Sequence, residues 1–334
     1  MELQRPYLLF LGDVADQLAA KTAQGINDWR PEWCLGQYRL PNCKADLGIP
    51  DMSLEEAYEH GARTLVLGVA NRGGVFSPQW IDVILKAIEI GMDVATGLHS
   101  KLTDVPEIAE TAAKHSRNLF DLRHPTQVFD VANGAKRPGK RMLAVGTDCS
   151  IGKMYTALAV EREMKARGLN ASFRATGQTG IFIAGSGVSI DAVVADFISG
   201  AVEWLCPANS PDHWDLVEGQ GSLFHPSFAG VTMGLIHGAQ PDALVLCHEP
   251  TRTHMRGLPH YGLPDVQTTI ETAVAHARLV NPAATCIGMA INTKALGESE
   301  AENYLAEMEQ KHGLPAVDPV RTGVARLVDA MAEI

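Results

Sequence analysis

The sequence lacks the features that define several large classes of protein. Its six cysteines are scattered and form no C-x-x-C pair, so neither a zinc site nor a disulfide framework is predicted. No stretch reaches the uncharged apolar length of a transmembrane helix. The first residues, 1–6, lack the basic start and the apolar core of a signal peptide. Together these absences predict a cytoplasmic protein with reduced thiols.

Positive charge is also scarce. The 28 lysines and arginines are outnumbered by 39 aspartates and glutamates, which gives a net charge of −11. Nucleic acids and anionic membranes need a basic face, so neither is predicted as a partner. A small anion in a locally positive pocket is still allowed. We therefore expect a small-molecule substrate, and the sequence leaves a homo-oligomer open.

What is present is an alternation of apolar runs and helical patterns along all 334 residues. Such an alternation predicts a parallel sheet with helical crossovers. In the first half, the predicted strands are 7–11, 64–69 and 93–97, and the predicted helices begin at Ser53, at Ser77-Pro78 and at Thr103. These elements indicate a Rossmann-like N-terminal domain.

A polar segment rich in glycine and proline, 132–140, is the best candidate for a linker. We place the boundary between a domain of residues 1–136 and a domain of residues 137–334. In the second domain, the predicted strands are 142–145, 171–175, 214–218, 242–247 and 285–291, and the predicted helices are 153–167, 189–205, 265–278, 298–312 and one from 324. The predicted fold class is α/β, with a Rossmann-like domain followed by a P-loop NTPase-like parallel sheet that has helices on both faces.

The stretch from residue 146 to residue 154 has the pattern of a phosphate-binding loop between a strand and a helix. Its members are Gly146, Thr147, Asp148, Cys149, Ser150, Ile151, Gly152, Lys153 and Met154. Backbone N–H groups, a helix N-terminus and one lysine together can bind a phosphate. Two features are unusual, because five residues separate the glycines and a methionine follows the lysine. A thioether is a poor ligand for Mg²⁺, so the arm that holds the metal in ATP-using P-loops is predicted to be missing.

Other polar residues follow predicted strand ends, where open α/β sheets bind ligands. Glu218 ends a strand among glycines and is a candidate base or metal ligand. The segment 248–256 is the densest polar cluster, and His225 is a candidate acid or base. Cys149 lies near a helix N-terminus, which predicts a lowered thiol pKa. A covalent role for this thiol is one interpretation, and a small residue that fills a tight loop is the simpler one.

These motifs carry a resemblance to known families. The P-loop together with 217–221 resembles, distantly, the dethiobiotin synthetase-like P-loop enzymes. The motifs 174–180, 191–197, 218–222 and 237–242 are similar to those of a two-domain P-loop-containing bacterial family that includes D-glutamate (D-amino acid) N-acetyltransferases. This second resemblance covers essentially the whole chain. It implies transfer of an acetyl group from acetyl-CoA to the amine of a D-amino acid, D-glutamate above all, in D-amino acid catabolism.

For this activity the chain offers residues for each role. The P-loop residues would hold the CoA phosphates, and no resident metal is predicted. The candidate catalytic residues are Glu218, His225, His248 and Glu249. The candidate substrate-binding residues are Arg72, Arg174, Gln178, Arg252 and Arg256, since arginines suit a dicarboxylic amino acid. Two alternatives stay open, namely an ATP- and Mg²⁺-dependent ligase or kinase of the dethiobiotin synthetase-like class and a nucleotide-binding regulatory module without catalysis.

Overall fold

The computed structural model describes residues 3–69 and 75–334 and contains two parallel β-sheets. The predicted α/β class is therefore confirmed. The strands are β1 (Tyr7–Gly12), β2 (Cys34–Arg39), β3 (Thr64–Leu67), β4 (Asp93–Thr96), β5 (Leu119–Asp121), β6 (Lys140–Gly146), β7 (Ala171–Arg174), β8 (Trp214–Val217), β9 (Ala243–His248), β10 (Thr285–Ile291) and β11 (Ala316–Val317).

Helices connect most of these strands, as parallel pairing requires. They are α1 (Lys21–Trp29), α2 (Leu54–Glu59), α3 (Pro78–Ile90), α4 (Pro106–His115), α5 (Lys153–Ala166), α6 (Gln178–Ala184), α7 (Ile198–Leu205), α8 (Ala229–Ala239), α9 (Val266–Arg278), α10 (Glu298–His312) and α11 (Ala325–Met331). No helix within the described ranges is both long and apolar enough to cross a membrane.

The chain forms two compact units. The N-terminal unit consists of Met1–Thr126 and Gly177–Ala192, and the P-loop unit consists of Gln127–Thr176 and Val193–Ile334. A single boundary after residue 136 was predicted, whereas the segment 177–192 also joins the first unit.

The N-terminal unit is built on a five-stranded sheet with the order β2-β1-β3-β4-β5. Its central strands β1, β3 and β4 are buried along their whole length. Local sequence signals set the helix ends. Ser53 opens α2 with a complete capping box, and α3 begins with Pro78 and ends at Gly91, whose φ of 112° suits a residue without a side chain.

The P-loop unit is built on a six-stranded sheet with the order β11-β10-β9-β6-β8-β7. Its helices form two groups, because α5 contacts α11 while α8 packs against both α7 and α9. The chain leaves β6 toward β7 and β8 and later returns to β9 on the other side of β6. The sheet order therefore reverses beside β6, and at such a point open α/β sheets bind ligands.

One predicted helix is wrong. The segment 189–205 forms two short 3-10 turns, Ile190–Ala192 and Ala195–Phe197, before α7 begins at Ile198. The reason is that the chain passes from the N-terminal unit to the P-loop unit between Ala192 and Val193. Val194 is extended there, with ψ of 139°, so one continuous helix cannot form.

Candidate functional site

Two loops meet at the carboxyl ends of the neighbouring strands β6 and β9. The first is the P-loop, residues 147–152, and the second is the segment 249–256. Pairing of Gly146 with Cys247 brings the two strand ends into register. The proximity of the P-loop and the segment 249–256 therefore follows from the sheet order.

The P-loop leaves a row of backbone donors without protein partners. Gly152 precedes α5 with φ of 109°, a conformation that a glycine adopts without strain. In the part of the chain that the structure describes, the N–H groups of residues 150–154 make no hydrogen bond. Successive free N–H groups at a helix N-terminus form an anion-binding surface.

Lys153, the first residue of α5, follows this loop directly. Its side chain is buried, and its Nζ donates a hydrogen bond to the carbonyl oxygen of Asp148 at 2.7 Å. Burial lowers the pKa of Lys153, because desolvation disfavours the ammonium form. An anion bound at the loop would favour the charged form of Lys153. Protonation of the lysine would therefore be coupled to anion binding.

Asp148 ties the P-loop to the segment 249–256. Its buried carboxylate accepts hydrogen bonds from the Cys149 N–H at 2.7 Å, from Arg252 Nη1 at 2.8 Å and from the Arg256 N–H at 2.8 Å. Arg252 also donates to the carbonyl oxygens of Cys149 and Ser150 and to the Glu249 carboxylate. The Arg252 and Glu249 side chains are thus engaged with the chain itself.

His225 and Asp148 together fix the backbone of Arg256. His225 Nε2 lies 3.2 Å from the Arg256 carbonyl oxygen, and His225 Nδ1 accepts from the Ser227 N–H at 3.2 Å. Since a carbonyl only accepts, these partners assign the proton to Nε2. The half-buried Arg256 guanidinium, in contrast, has no hydrogen bond or ion pair to the described chain.

Asp148, Cys149 and His225 have possible ligand atoms within 4.8 Å of one another, a spacing that a metal ion could bridge. However, the Asp148 carboxylate already accepts three N–H bonds, and both nitrogens of His225 are bonded to backbone groups. A metal would have to displace these bonds, so we do not propose a metal site here.

The predicted lowering of the Cys149 pKa is wrong. Burial raises the pKa of this thiol, and the nearby charge of Lys153 offsets only part of that effect. The thiol form is therefore favoured, as fits a small residue that fills a tight loop.

His248 is the last residue of β9 and lies beside the P-loop. Its Nδ1 is 3.0 Å from Thr147 Oγ1, and its ring faces that of Tyr304 at a centroid distance of 6.5 Å. Burial, with a smaller contribution from the Arg252 charge, lowers the pKa of His248 to about 4. The imidazole is thus neutral near pH 7.

Glu218 follows β8 on the other side of β6. Its carboxylate accepts from the Thr176 N–H at 2.9 Å and from Gln220 Nε2 at 3.2 Å. Gly219 lets this loop approach the sheet, because a Cβ there would lie 1.7 Å from the Ala144 carbonyl oxygen. The buried carboxylate is consequently held in one orientation.

The other predicted substrate residues are Arg174, Gln178 and Arg72. Arg174 Nε donates to the buried Asp215 at 2.7 Å, so this guanidinium is directed back along β8. Gln178 is the first residue of α6 in the N-terminal unit. Arg72 lies outside the described residues.

Thr156, three residues after Lys153, does not supply the hydroxyl that Met154 lacks. Thr156 Oγ1 donates to the Gly152 carbonyl oxygen at 3.0 Å, inside the first turn of α5. Two residues that contact the candidate catalytic residues were not predicted from the sequence. Thr176 holds Glu218 and Tyr304 faces His248, although only Thr176, at a strand end beside a glycine, had a signal in the sequence.

Comparisons with known proteins cover nearly the whole chain. A model described as a domain of unknown function, DUF1611_N Rossmann-like domain, matches residues 39–125. A second, described as a domain of unknown function, DUF1611_C P-loop domain, matches residues 130–328. A DUF1611 family protein from Anabaena variabilis ATCC 29413 has a solved structure that superposes with a TM-score of 0.89, at 32% identity over 99% of this chain and 100% of that one.

Two curated relatives are closer in sequence, and both carry the name D-glutamate N-acetyltransferase. The protein from Tritonibacter scottomollicae is 57% identical over 332 residues, which is 99% of this chain and 100% of the relative. The protein from a Pseudoalteromonas species is 50% identical over 328 residues, which is 98% of this chain and 99% of the relative.

Proposed function

Since this chain belongs to the two-domain DUF1611 family, we propose that it is a D-glutamate N-acetyltransferase. The observation that carries the proposal is the full-length similarity to two relatives of that name, because it spans both the P-loop and the segment 249–256. The predicted acyltransferase activity and D-glutamate substrate agree with it. We also propose a cytoplasmic location, which suits six cysteines that are all free.

The acetyl donor we propose is acetyl-CoA, which supplies the acetyl group as a thioester. CoA carries a pyrophosphate and a 3′-phosphate. The free N–H groups of residues 150–154 and the buried Lys153 fit such an anion. Neither Met154 nor Thr156 offers a free hydroxyl to Mg²⁺, so this loop suits a phosphate ligand that needs no metal.

Arg256 is our candidate for binding a carboxylate of D-glutamate. Its backbone is held on one side by Asp148 and on the other by His225, while its guanidinium has no partner in the described chain. A fixed backbone with a free guanidinium can bind a carboxylate by two parallel hydrogen bonds. In this proposal His225 and Asp148 position Arg256, and Arg252 holds the two loops together.

His248 is our candidate general base. The amine of D-glutamate must lose a proton before it can attack a thioester, and a neutral imidazole can accept one. When Nδ1–H donates to Thr147 Oγ1, the lone pair on Nε2 is available for that proton. The Glu218 and Glu249 carboxylates are both hydrogen-bonded within the chain, so we assign them orienting roles.

The experiment that tests the activity follows the release of free thiol. The purified protein is mixed with acetyl-CoA and with D-glutamate, L-glutamate, D-aspartate or D-alanine, without ATP or Mg²⁺. We expect thiol release with D-glutamate and formation of N-acetyl-D-glutamate by mass spectrometry. Thiol release with none of the acceptors, together with ATP-dependent phosphate release, would instead favour the ligase or kinase alternative.

Arg256→Ala tests the carboxylate site. Loss of a charge-assisted bond of about 1.5–3 kcal/mol predicts a KM for D-glutamate that rises about 10- to 100-fold, with the KM for acetyl-CoA little changed. Arg321→Ala, which removes an exposed arginine of the same unit, is the matched control and should leave both constants unchanged. An unaltered KM for D-glutamate in Arg256→Ala would refute this assignment.

A further inference from the structure

A second cationic cluster lies in the P-loop unit, at the opposite end of β6 from the P-loop. Arg141 is the second residue of β6, roughly 16 Å along the strand from Gly146. Its side chain is completely buried. Nη2 donates to the carbonyl oxygens of Arg137 and Pro138 at 2.7 and 3.0 Å, whereas Nε and Nη1 are buried and have no acceptor in the described chain.

Arg137 belongs to the same cluster. Its Nε donates to the Cys206 carbonyl oxygen at 2.8 Å and its Nη2 to the Gly238 carbonyl oxygen at 2.6 Å. Its Nη1 is buried without a hydrogen bond, and the Glu203 carboxylate is 3.6 Å away. Burial, and to a smaller extent the charge of Arg141, lowers the pKa of Arg137. The two guanidinium groups are therefore close enough for their charges to interact.

The surrounding acids do not balance this charge. Asp215 is paired with Arg174 at 2.7 Å, and Asp242 is paired with Lys136 at 2.8 Å. Burial raises the pKa of the Cys206 thiol to about 12, so it is neutral. Asp215 also acts on Arg137, but among the ion pairs of the described residues only Glu203 pairs with either buried guanidinium. One positive charge is left uncompensated.

We propose that Arg137 and Arg141 hold a small anion, a chloride ion, inside the P-loop unit. Buried donors need acceptors, because an unmade hydrogen bond destabilises the fold. A water molecule would supply an acceptor for these donors but would leave the positive charge uncompensated. Chloride brings an acceptor and the missing negative charge without any hydrogen. Complete burial of Arg141 favours a monatomic ion over phosphate.

The first test compares thermal unfolding in sodium chloride and in sodium gluconate at equal ionic strength. We expect a saturable rise of roughly 2–4 °C in chloride for the wild-type protein, as for any ligand that binds only the folded state. Arg141→Met should lose this rise. Arg167→Met removes an arginine exposed on the same unit and should keep it. Equal midpoints in the two salts for the wild-type protein would overturn the proposal and indicate water alone.

The second test needs no variant and therefore does not depend on whether Arg141→Met folds. Wild-type crystals grown in bromide should give an anomalous difference peak beside the Arg141 guanidinium. Bromide peaks confined to the protein surface would overturn the proposal.

Discussion

Replacing His248 by asparagine should change how the stability of the protein depends on pH. Burial and the charge of Arg252 lower the pKa of this imidazole from an ordinary value of 6.5 to about 4. Above pH 6.5 the side chain is neutral in both the folded and the unfolded state, so it contributes no pH dependence. Between pH 6.5 and pH 4 only the unfolded chain takes up the proton, and the folded state is destabilised as the pH falls.

The size of this effect follows from the two pKa values. Between pH 7.5 and pH 5 the wild-type protein should lose about 2 kcal/mol of unfolding free energy through His248 alone. Asparagine places a nitrogen or oxygen near the position of Nδ1 and can keep the bond to Thr147 without titrating. The His248→Asn protein should therefore lose about 2 kcal/mol less than the wild type over the same interval.

The assay is urea unfolding at the two pH values, followed by tryptophan fluorescence. His260→Asn, which removes an exposed histidine of the same unit, is the matched control and should follow the wild type. Equal losses in the wild type and in His248→Asn would refute the assigned pKa. The assignment of His248 as a neutral base would then lose its support.

Three further predictions concern the P-loop and the loop that carries Glu218. Lys153→Ala should weaken CoA binding about 10- to 100-fold in calorimetry. Lys165→Ala, which removes an exposed lysine of α5, should leave the affinity for CoA unchanged. Equal CoA affinities in the wild type and in Lys153→Ala would remove the P-loop from the mechanism. EDTA should leave the rate of thiol release unchanged, since Met154 offers no hard ligand, and a loss of rate restored by Mg²⁺ would contradict this. Gly219→Ala should lower the free energy of unfolding in urea by at least about 3 kcal/mol, because its Cβ would lie 1.7 Å from the Ala144 carbonyl oxygen. A decrease below about 1 kcal/mol would show that the loop can move away.

The apolar runs were enough to predict most buried strands, because a strand that is covered on both faces must be apolar throughout. Shorter or more polar elements were not predicted. The strand β2 contains Gln37, Tyr38 and Arg39 and is partly exposed at the edge of its sheet. The helix α6 begins with a glycine-rich pattern that resembles a turn, and its stability comes from packing against α1.

The place of the candidate site was predictable, but its internal pairing was not. Strand ends and glycine patterns located the P-loop, Glu218 and the segment 249–256. Which arginine would be free depended on partners far away in the sequence. Arg252 pairs with Asp148, 104 residues away, and Arg174 pairs with Asp215, 41 residues away. No local pattern carries that information, so Arg256 could not be distinguished from the other arginines.

The return of the segment 177–192 to the N-terminal unit has a consequence for co-translational folding. The buried face of α1 contacts α6, and Thr179 Oγ1 donates to Thr22 Oγ1 at 3.2 Å. When Thr126 has been synthesised, its unit still lacks this helix. At a translation rate of roughly 5–20 residues per second, the missing piece arrives roughly 3–13 s later. During that interval the face of α1 that α6 covers in the folded protein is still uncovered.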